Sequence, residues 1–327
     1  MSREKYGYRL PDEQIAQKPV EPRSAAKLLD GRGGTVVHRR VADLPDLLAA
    51  GDLLVVNDSR VLPARLRLQK ETGGHVEVLL LEQRGDGAWE ALVRPGRRVR
   101  PGTVLTSADG RPVMEVQDRL VEGRRVVRLL AEGVPEDLGT VALPPYIREP
   151  LADPDRYQTV YAARPGSVAA PTAGLHLTDE LLSDCRARGI AVATVDLAVG
   201  LGTFRPITVE RIEDHRMHAE RYDVSAETMD ACRDATRVVA VGTTTLRALE
   251  SAARGPLVGR TELFVTPGFE FQIVDVLLTN FHLPYSSLLV LLAAFCGERW
   301  RSLYDVALAE DYRFLSFGDA MLVDRLS

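Results

Sequence analysis

Hydrophobic positions follow two rhythms along this chain. In one, solid apolar runs alternate with segments of helical period. The run Leu53-Leu54-Val55-Val56 enters an Asn57-Asp58-Ser59 turn, and Ile190–Val199 and Arg237–Val241 are runs of the same kind. Runs like these suit strands covered on both faces. Thr178 caps a helix that ends at Gly189, Ser225 starts one toward Ala235, and a third runs from about Thr245 to Ala253. Phe269–Leu278 reads as a strand and Ser286–Cys296 as a buried helix. Near the start, Pro11 followed by Asp12 and Glu13 predicts a short helix that Pro19 stops.

The other rhythm fills Arg65 to about Leu130. Short alternating segments appear there, Val76–Leu80, Trp89–Val93, Val113–Val116 and Arg125–Leu129, with glycine-bearing turns between them. No helical period interrupts, which predicts a small antiparallel barrel or sandwich. Leu143-Pro144-Pro145-Tyr146-Ile147-Arg148-Glu149-Pro150 then reads as a stiff linker. The early strand belongs with the later strands and helices. The expected fold is therefore mixed α/β: a larger, barrel-like α/β domain of residues 1–61 and 149–327, interrupted by a small antiparallel β-barrel of residues 62–148. A length of 327 residues suits two domains.

Composition narrows the class. Apolar residues make up 45% and charged residues 27%, as in ordinary globular proteins. Met1-Ser2-Arg3-Glu4-Lys5 shows no signal pattern, and the longest apolar run, Leu288–Cys296, is about half a membrane span. Cys185, Cys232 and Cys296 are odd in number and widely spaced, which speaks against a disulfide framework or a zinc site and for a reduced cytoplasm. A net charge of −5 excludes a uniformly basic nucleic-acid binder, yet Arg94, Arg97, Arg98 and Arg100 fall within seven positions. The fork of arginine suits phosphate, and a solvated, charge-balanced β-surface is the plain alternative.

Polar motifs sit where apolar runs end. Pro171-Thr172-Ala173-Gly174-Leu175-His176, Val199-Gly200-Leu201-Gly202-Thr203-Phe204, Val241-Gly242-Thr243-Thr244-Thr245-Leu246-Arg247 and Thr279-Asn280-Phe281-His282 are strand-to-loop handovers, where α/β proteins build small-molecule sites. Asn57-Asp58-Ser59-Arg60 is a further wall of the same kind, or an Asx turn. Gly200 and Gly202 lack the third glycine of a dinucleotide fingerprint. Arg247 and Glu250 share a helix face and read as a pair. His215 and His218, flanked by carboxylates, have a spacing that a metal, acid–base work or a polar loop would all accommodate. His176, His282 and Asp319 stand in polar loops.

These stretches, with Pro144-Pro145-Tyr146-Ile147, Tyr157-Gln158-Thr159-Val160-Tyr161, His215-Arg216-Met217-His218 and Gly318-Asp319-Ala320-Met321, occur in an order that closely resembles the S-adenosylmethionine:tRNA ribosyltransferase-isomerases of bacterial queuosine synthesis. The resemblance runs end to end. Two departures stand out: Thr245, where a serine or other small residue is usual, and Leu177 in place of phenylalanine. The resemblance implies transfer of the ribosyl part of S-adenosylmethionine to 7-aminomethyl-7-deazaguanine at the tRNA wobble position. The sugar becomes an epoxycyclopentane, and adenine and methionine leave. S-adenosylmethionine is then a co-substrate, with no prosthetic group and no metal. Proton transfer falls to His176, His215, His218 and His282, with Asp58 and Asp319 as partners. Asn57, Ser59, Arg60, Thr172, Gly174, Gly200, Gly202, Thr203, Gly242, Thr243, Thr244, Arg247, Thr279 and Asn280 would hold substrate, Arg247 as a carboxylate clamp. Arg97, Arg98 and Arg100 would meet tRNA, and the protein would be a cytoplasmic monomer. A metal-dependent hydrolase using the histidines and a non-catalytic tRNA-binding protein are the other readings.

Overall fold

The computed structural model describes residues 1–200 and 206–326. The chain divides into two compact units: Met1–Ser59, Pro144–Arg164 and Ala170–Ser327 form the larger, and Arg60–Leu143 with Pro165–Ala169 the smaller.

The larger unit is built on a nine-stranded mixed sheet. Its strands are β1 (Lys27–Asp30), β2 (Val37–Arg40), β3 (Asp52–Asn57), β4 (Ala191–Leu197), β5 (Glu220–Asp223), β6 (Arg237–Val241), β7 (Val258–Thr261), β8 (Val276–Asn280) and β9 (Ala320–Asp324). They lie in the order β7-β5-β4-β3-β6-β8-β9-β1-β2. β4, β3, β6 and β8 are mutually parallel. β9 runs antiparallel to β8. The two end strands are not paired with each other among the described residues, so the closed barrel of this chain lies in the smaller unit.

The main helices are α1 (Asp179–Ala187), α2 (Ala226–Asp234), α3 (Thr243–Ala252), α4 (Ser287–Cys296) and α5 (Arg299–Ala309). Three start where the sequence signals a cap. Thr178 Oγ1 accepts from Leu181 N at 3.2 Å, Ser225 Oγ from Thr228 N at 3.1 Å, and Ser286 Oγ from Leu289 N at 3.2 Å. Every residue of β3 and β8 is buried, which is why Leu53–Val56 and Val276–Leu278 are solidly apolar, with polar residues only at the strand ends. Leu54, Val56, Val239, Val241, Val276 and Leu278 share one core with Leu181, Leu182 and Cys185 of α1. α3 packs across β4 and β6.

Three expectations need correction. The segment after Pro11 is one 3₁₀ turn, Asp12–Gln14, because Ile15 bridges Phe314 and Ala16 N donates to Phe314 O at 3.2 Å. Extended pairing thus takes the backbone that a helix would need. Only Val276–Asn280 of the Phe269–Leu278 stretch is strand. Upstream, the N–H groups of Gln272, Ile273 and Val274 are taken by the Glu250 carboxylate at 2.9–3.2 Å. α3 begins at Thr243, because Gly242 turns the chain directly out of β6.

In the smaller unit six antiparallel strands close on themselves. Arg65–Lys70, His75–Gly85, Ala88–Arg94, Arg124–Leu129, Pro112–Arg119 and Thr103–Thr106 pair in turn, and the last pairs back with the first. Alternate residues fill the interior, among them Leu66, Leu68, Val78, Leu80, Ala91, Val116 and Val127. Closure removes the open edges that a free sheet would present.

The turn into β9 depends on Gly318. A Cβ there would collide with the backbone of Arg313 and Phe314. Gly318→Ala is expected to cost about 1–3 kcal/mol, read as a lower urea midpoint; an unchanged midpoint would show that this turn has slack.

Candidate active site

Because β4, β3, β6 and β8 are parallel, their carboxyl ends share one edge of the sheet. Leu197, Asn57, Val241 and Asn280 end there, and antiparallel β9 starts there with Ala320. Such edges are where open α/β sheets place ligands. An open cleft lies along it. Its walls include Thr172, Ala173, Val199, Gly242, Thr243, Thr244, Thr279, Asn280 and His282.

Asn57 ties three of these segments together. Its Nδ2 donates to Leu197 O at 3.0 Å and to Thr244 Oγ1 at 3.3 Å. Its Oδ1 accepts from Leu197 N at 3.2 Å and Ser59 N at 3.1 Å. Fully buried, Asn57 positions the walls rather than facing the cleft. Gly242 makes the next wall. It adopts φ +90°, a region open to glycine and costly for other residues, and its N–H donates to Leu278 O at 2.8 Å. No side chain caps α3; Leu246 N, which donates to Gly242 O at 3.2 Å, is its first amide with an acceptor within the helix. The first turn therefore presents amides and the Thr243 and Thr244 side chains at the cleft.

Asn280 organises the opposite wall. Its Nδ2 donates to Asp319 O at 3.3 Å, and a carbonyl can only accept, so the amide orientation is determined. The same Nδ2 reaches His176 Nε2 at 3.1 Å, so that nitrogen accepts and the imidazole proton sits on Nδ1. Thr172 Oγ1 donates to Asn280 Oδ1 at 2.8 Å. Burial, then Arg313, Arg156 and Arg23, pulls the His176 pKa down to about 3. His282 lines the cleft, with Nε2 3.1 Å from Thr279 Oγ1. Burial lowers its pKa to about 3 as well. Both imidazoles are neutral near neutral pH.

Several predicted site residues stand elsewhere. Asp58 is held by Arg164 Nε at 2.9 and 3.2 Å. Asp319 accepts from Lys27 N at 3.0 Å and Arg313 N at 2.8 Å. Neither carboxylate touches a histidine through a hydrogen bond described here; Asp319 acts on His176 through its carbonyl and Asn280. Arg247 is not paired with Glu250. Its Nη1 meets Glu220, and Nε donates to Leu263 O at 3.0 Å, while Glu250 binds Arg254 and the 272–274 amides. Two of its three nitrogens are thereby engaged inside the fold, while Nη2 is buried without a hydrogen-bond partner. Glu220 Oε1 also accepts from Gly200 N at 2.9 Å, next to Val199 of the cleft. Gly174 backs the wall, where a Cβ would strike Tyr161 Oη. Ser59 is buried and Arg60 is exposed, in the smaller unit. His215 is partly buried with its ring edge-on to Phe264 at 5.4 Å, and His215 and His218 lie off the cleft. Burial, then His218, lowers the His215 pKa. Gly202 and Thr203 lie outside the described residues. Among the described residues no group of three or more His, Cys, Asp or Glu is placed to hold a metal ion.

Other cleft residues were not singled out from the sequence. Tyr146, read as linker, lines the cleft and shares a 2.7 Å hydrogen bond with Ser316 Oγ. Leu315 also lines it at φ +72°, a strained value for leucine. The Pro144-Pro145 pair next to Tyr146 was the available signal, since prolines hold a neighbouring side chain in a set direction.

A parallel-edge cleft walled by the neutral imidazole of His282 and by threonine side chains is the small-molecule site of an α/β enzyme. The chain belongs to the queuosine biosynthesis protein family, whose model matches residues 3–323. It is 51% identical to the S-adenosylmethionine:tRNA ribosyltransferase-isomerase of Rubrobacter xylanophilus, over 99% of this chain and 98% of that one. It is 48% identical to the protein of the same name from Carboxydothermus hydrogenoformans, over 97% and 98%. The crystal structure of S-adenosylmethionine tRNA ribosyltransferase from Thermotoga maritima matches with a TM-score of 0.56 and 36% identity, covering 98% of this chain and 99% of that one.

The neutral histidines carry a pH signature. In the unfolded chain each takes a proton near the ordinary value of 6.5, in the folded protein only near about 3. Through that window the unfolded state holds more protons, so their contribution is full above it and stability falls as pH drops. His282→Gln should flatten this acid slope by about one proton, measured as urea midpoints across the window. A slope left as steep would contradict the buried, neutral assignment.

Proposed function

We propose that this protein is an enzyme that transfers and isomerises the ribosyl group of S-adenosylmethionine onto 7-aminomethyl-7-deazaguanine at the wobble position of tRNA. Adenine and methionine are released, and the base carries an epoxycyclopentane. The family and the full-length relatives support this reading. The observation that carries it is the cleft itself, which combines an open helix start, threonine side chains and the neutral imidazole of His282. S-adenosylmethionine presents a carboxylate, a sulfonium and a ribose, with no phosphate, and the cleft has no phosphate-binding motif.

In this reading the first turn of α3 receives the polar groups of the donor, with amides and the Thr243 and Thr244 hydroxyls as partners. The sulfonium acidifies the 5′ carbon, a base removes a proton there, and the neutral amine of the target base attacks. Adenine leaves more readily when its ring nitrogen is protonated. His282 faces these events directly, and His176 acts one hydrogen bond back, through Asn280. Asp58 and Asp319 position their neighbours instead of exchanging protons.

The smaller unit is assigned to RNA. Arg94, Arg97, Arg98 and Arg100 are exposed around the 3₁₀ turn Gly96–Arg98. Arg125 belongs to a different role, being buried beneath that loop with Nη2 donating to Gly96 O at 2.6 Å and Val99 O at 2.7 Å. Arg124 pairs with Glu90 at 2.8 Å, and Arg128 donates to Asp86 O at 3.0 Å. The phosphate-facing set is thus the loop, and a tRNA partner supports action in the cytoplasm.

Single-turnover release of adenine in the presence of modified anticodon stem-loop is the test. His176→Ala and His282→Ala should each slow it by roughly a hundredfold; unchanged rates in both would sink the assignment of proton transfer to this cleft. For the loop, Arg97→Ala with Arg98→Ala should weaken RNA binding and make its salt dependence shallower by about one unit per lost phosphate contact. Identical affinity and slope would return the arginines to ordinary solvated surface.

A further inference from the structure

His282 stands just past the end of β8, where the chain has left the sheet and its backbone has no strand beside it. Side chains take over there. His282 N donates to Tyr304 Oη at 2.8 Å, and Tyr8 Oη donates to His282 O at 2.5 Å. One residue earlier, Phe281 O accepts from Leu315 N at 3.1 Å. The amide and the carbonyl of a single cleft residue are thus each held by a phenol, one from near the start of the chain and one from α5. Among the described residues, the cleft wall includes His282 and neither tyrosine.

The two phenols are themselves fixed. Tyr8 and Tyr304 meet edge to face at 5.1 Å. Tyr304 also packs edge-on against Phe281 at 5.4 Å, Trp300 at 5.4 Å and Phe314 at 5.8 Å. Tyr304, Phe281, Trp300 and Phe314 are all buried, and rings packed on several sides hold one rotamer. Burial raises the pKa of both phenols, so each keeps its proton and Tyr8 stays a donor at neutral pH. A buried amide left without an acceptor is costly, so the loop stays where these hydroxyls are.

We propose that Tyr8 and Tyr304 are positioning residues for His282: their hydroxyls fix the loop past β8 so that the imidazole meets the reacting groups of the substrates. That the imidazole acts on substrate rests on the proposed function; the clamp on its backbone does not. Pinned at both N and O, His282 enters the cleft with Nε2 3.1 Å from Thr279 Oγ1. Catalysis penalises displacement of such a group steeply, since a misplacement of about 1 Å can cost on the order of a hundredfold in rate. The clamp grips the backbone and leaves the ring nitrogens to Thr279 and to substrate.

Tyr8→Phe and Tyr304→Phe, made in the full chain, remove the hydroxyls and keep the rings. Each should lower kcat for adenine release about tenfold while the KM for S-adenosylmethionine and for modified stem-loop stays. In a His282→Ala background the same substitutions should cost nothing further, because the group they position is gone. Wild-type kcat in the folded variants overturns the proposal. So does an equal loss with and without His282, which marks hydroxyls that serve stability alone. Urea unfolding shows which variants are folded, and Tyr8, being only partly buried, supplies the variant that decides if Tyr304→Phe does not fold. Imidazole NMR reads the clamp without activity. The His282 ring signals, assigned by their loss in His282→Ala, should shift or broaden in the tyrosine variants, and unchanged signals refute the clamp. If His282→Ala releases adenine as fast as wild type, the catalytic role of His282 falls and the positioning role with it. The ring signals then still decide whether the hydroxyls hold the loop.

Discussion

Parallel strands in one sheet must end at one edge, and the cleft depends on that constraint. β4, β3, β6 and β8 are parallel, so Leu197, Asn57, Val241 and Asn280 arrive together although they are far apart in the chain. Two asparagines then lock the ends. Asn57 ties β3 to Leu197 and to Thr244. Asn280 ties β8 to Thr172, His176 and the start of β9. An amide side chain suits this task because it offers donors and acceptors at once and carries no charge to desolvate. The two amides are the junctions through which the walls keep their spacing.

The same burial that orders the walls decides which groups can titrate. His176 and His282 sit where a positive charge is poorly solvated, so they stay neutral in the absence of substrate. The carboxylates nearby do not compensate, because Asp58 is neutralised by Arg164 and Asp319 is taken up by backbone amides. A site of this kind relies on its ligands to complete its electrostatics. A sulfonium donor and a polyanionic RNA bring opposite charges, and both are needed for the chemistry.

Arginines show how one residue type serves three physical roles here. Arg247 is buried against Glu220, beneath the segment that carries Gly200. Arg125 is buried as well, but spends its donors on the carbonyls of a loop, giving four exposed arginines a common platform. Arg23 and Arg156 hold backbone at one side and face a pocket at the other. Neighbouring acceptors separate these roles, since a guanidinium has five donors and no acceptor.

Much of the fold was legible in the sequence because it rests on local rules. Apolar runs marked β3, β4 and β6, capping residues marked Thr178, Ser225 and Ser286, and strict alternation marked the barrel, each through burial or backbone geometry acting over a few residues. The handover motifs likewise pointed to Thr172, Gly242–Thr244 and Thr279–His282, which line the cleft because they stand just past the ends of buried strands. Partner choice was not legible. Helical spacing suggested Arg247 with Glu250, yet each found a partner on another segment, because buried charges go to the acceptors that the folded backbone brings nearest. Tyr146, read as linker, became a cleft wall, and the 269–275 stretch lost its strand to a carboxylate from α3. The sequence by itself determined the elements and the chemistry available at their ends. The tertiary structure alone decided which side chains meet, because hydrogen bonds and charges are satisfied across distances that no local pattern records.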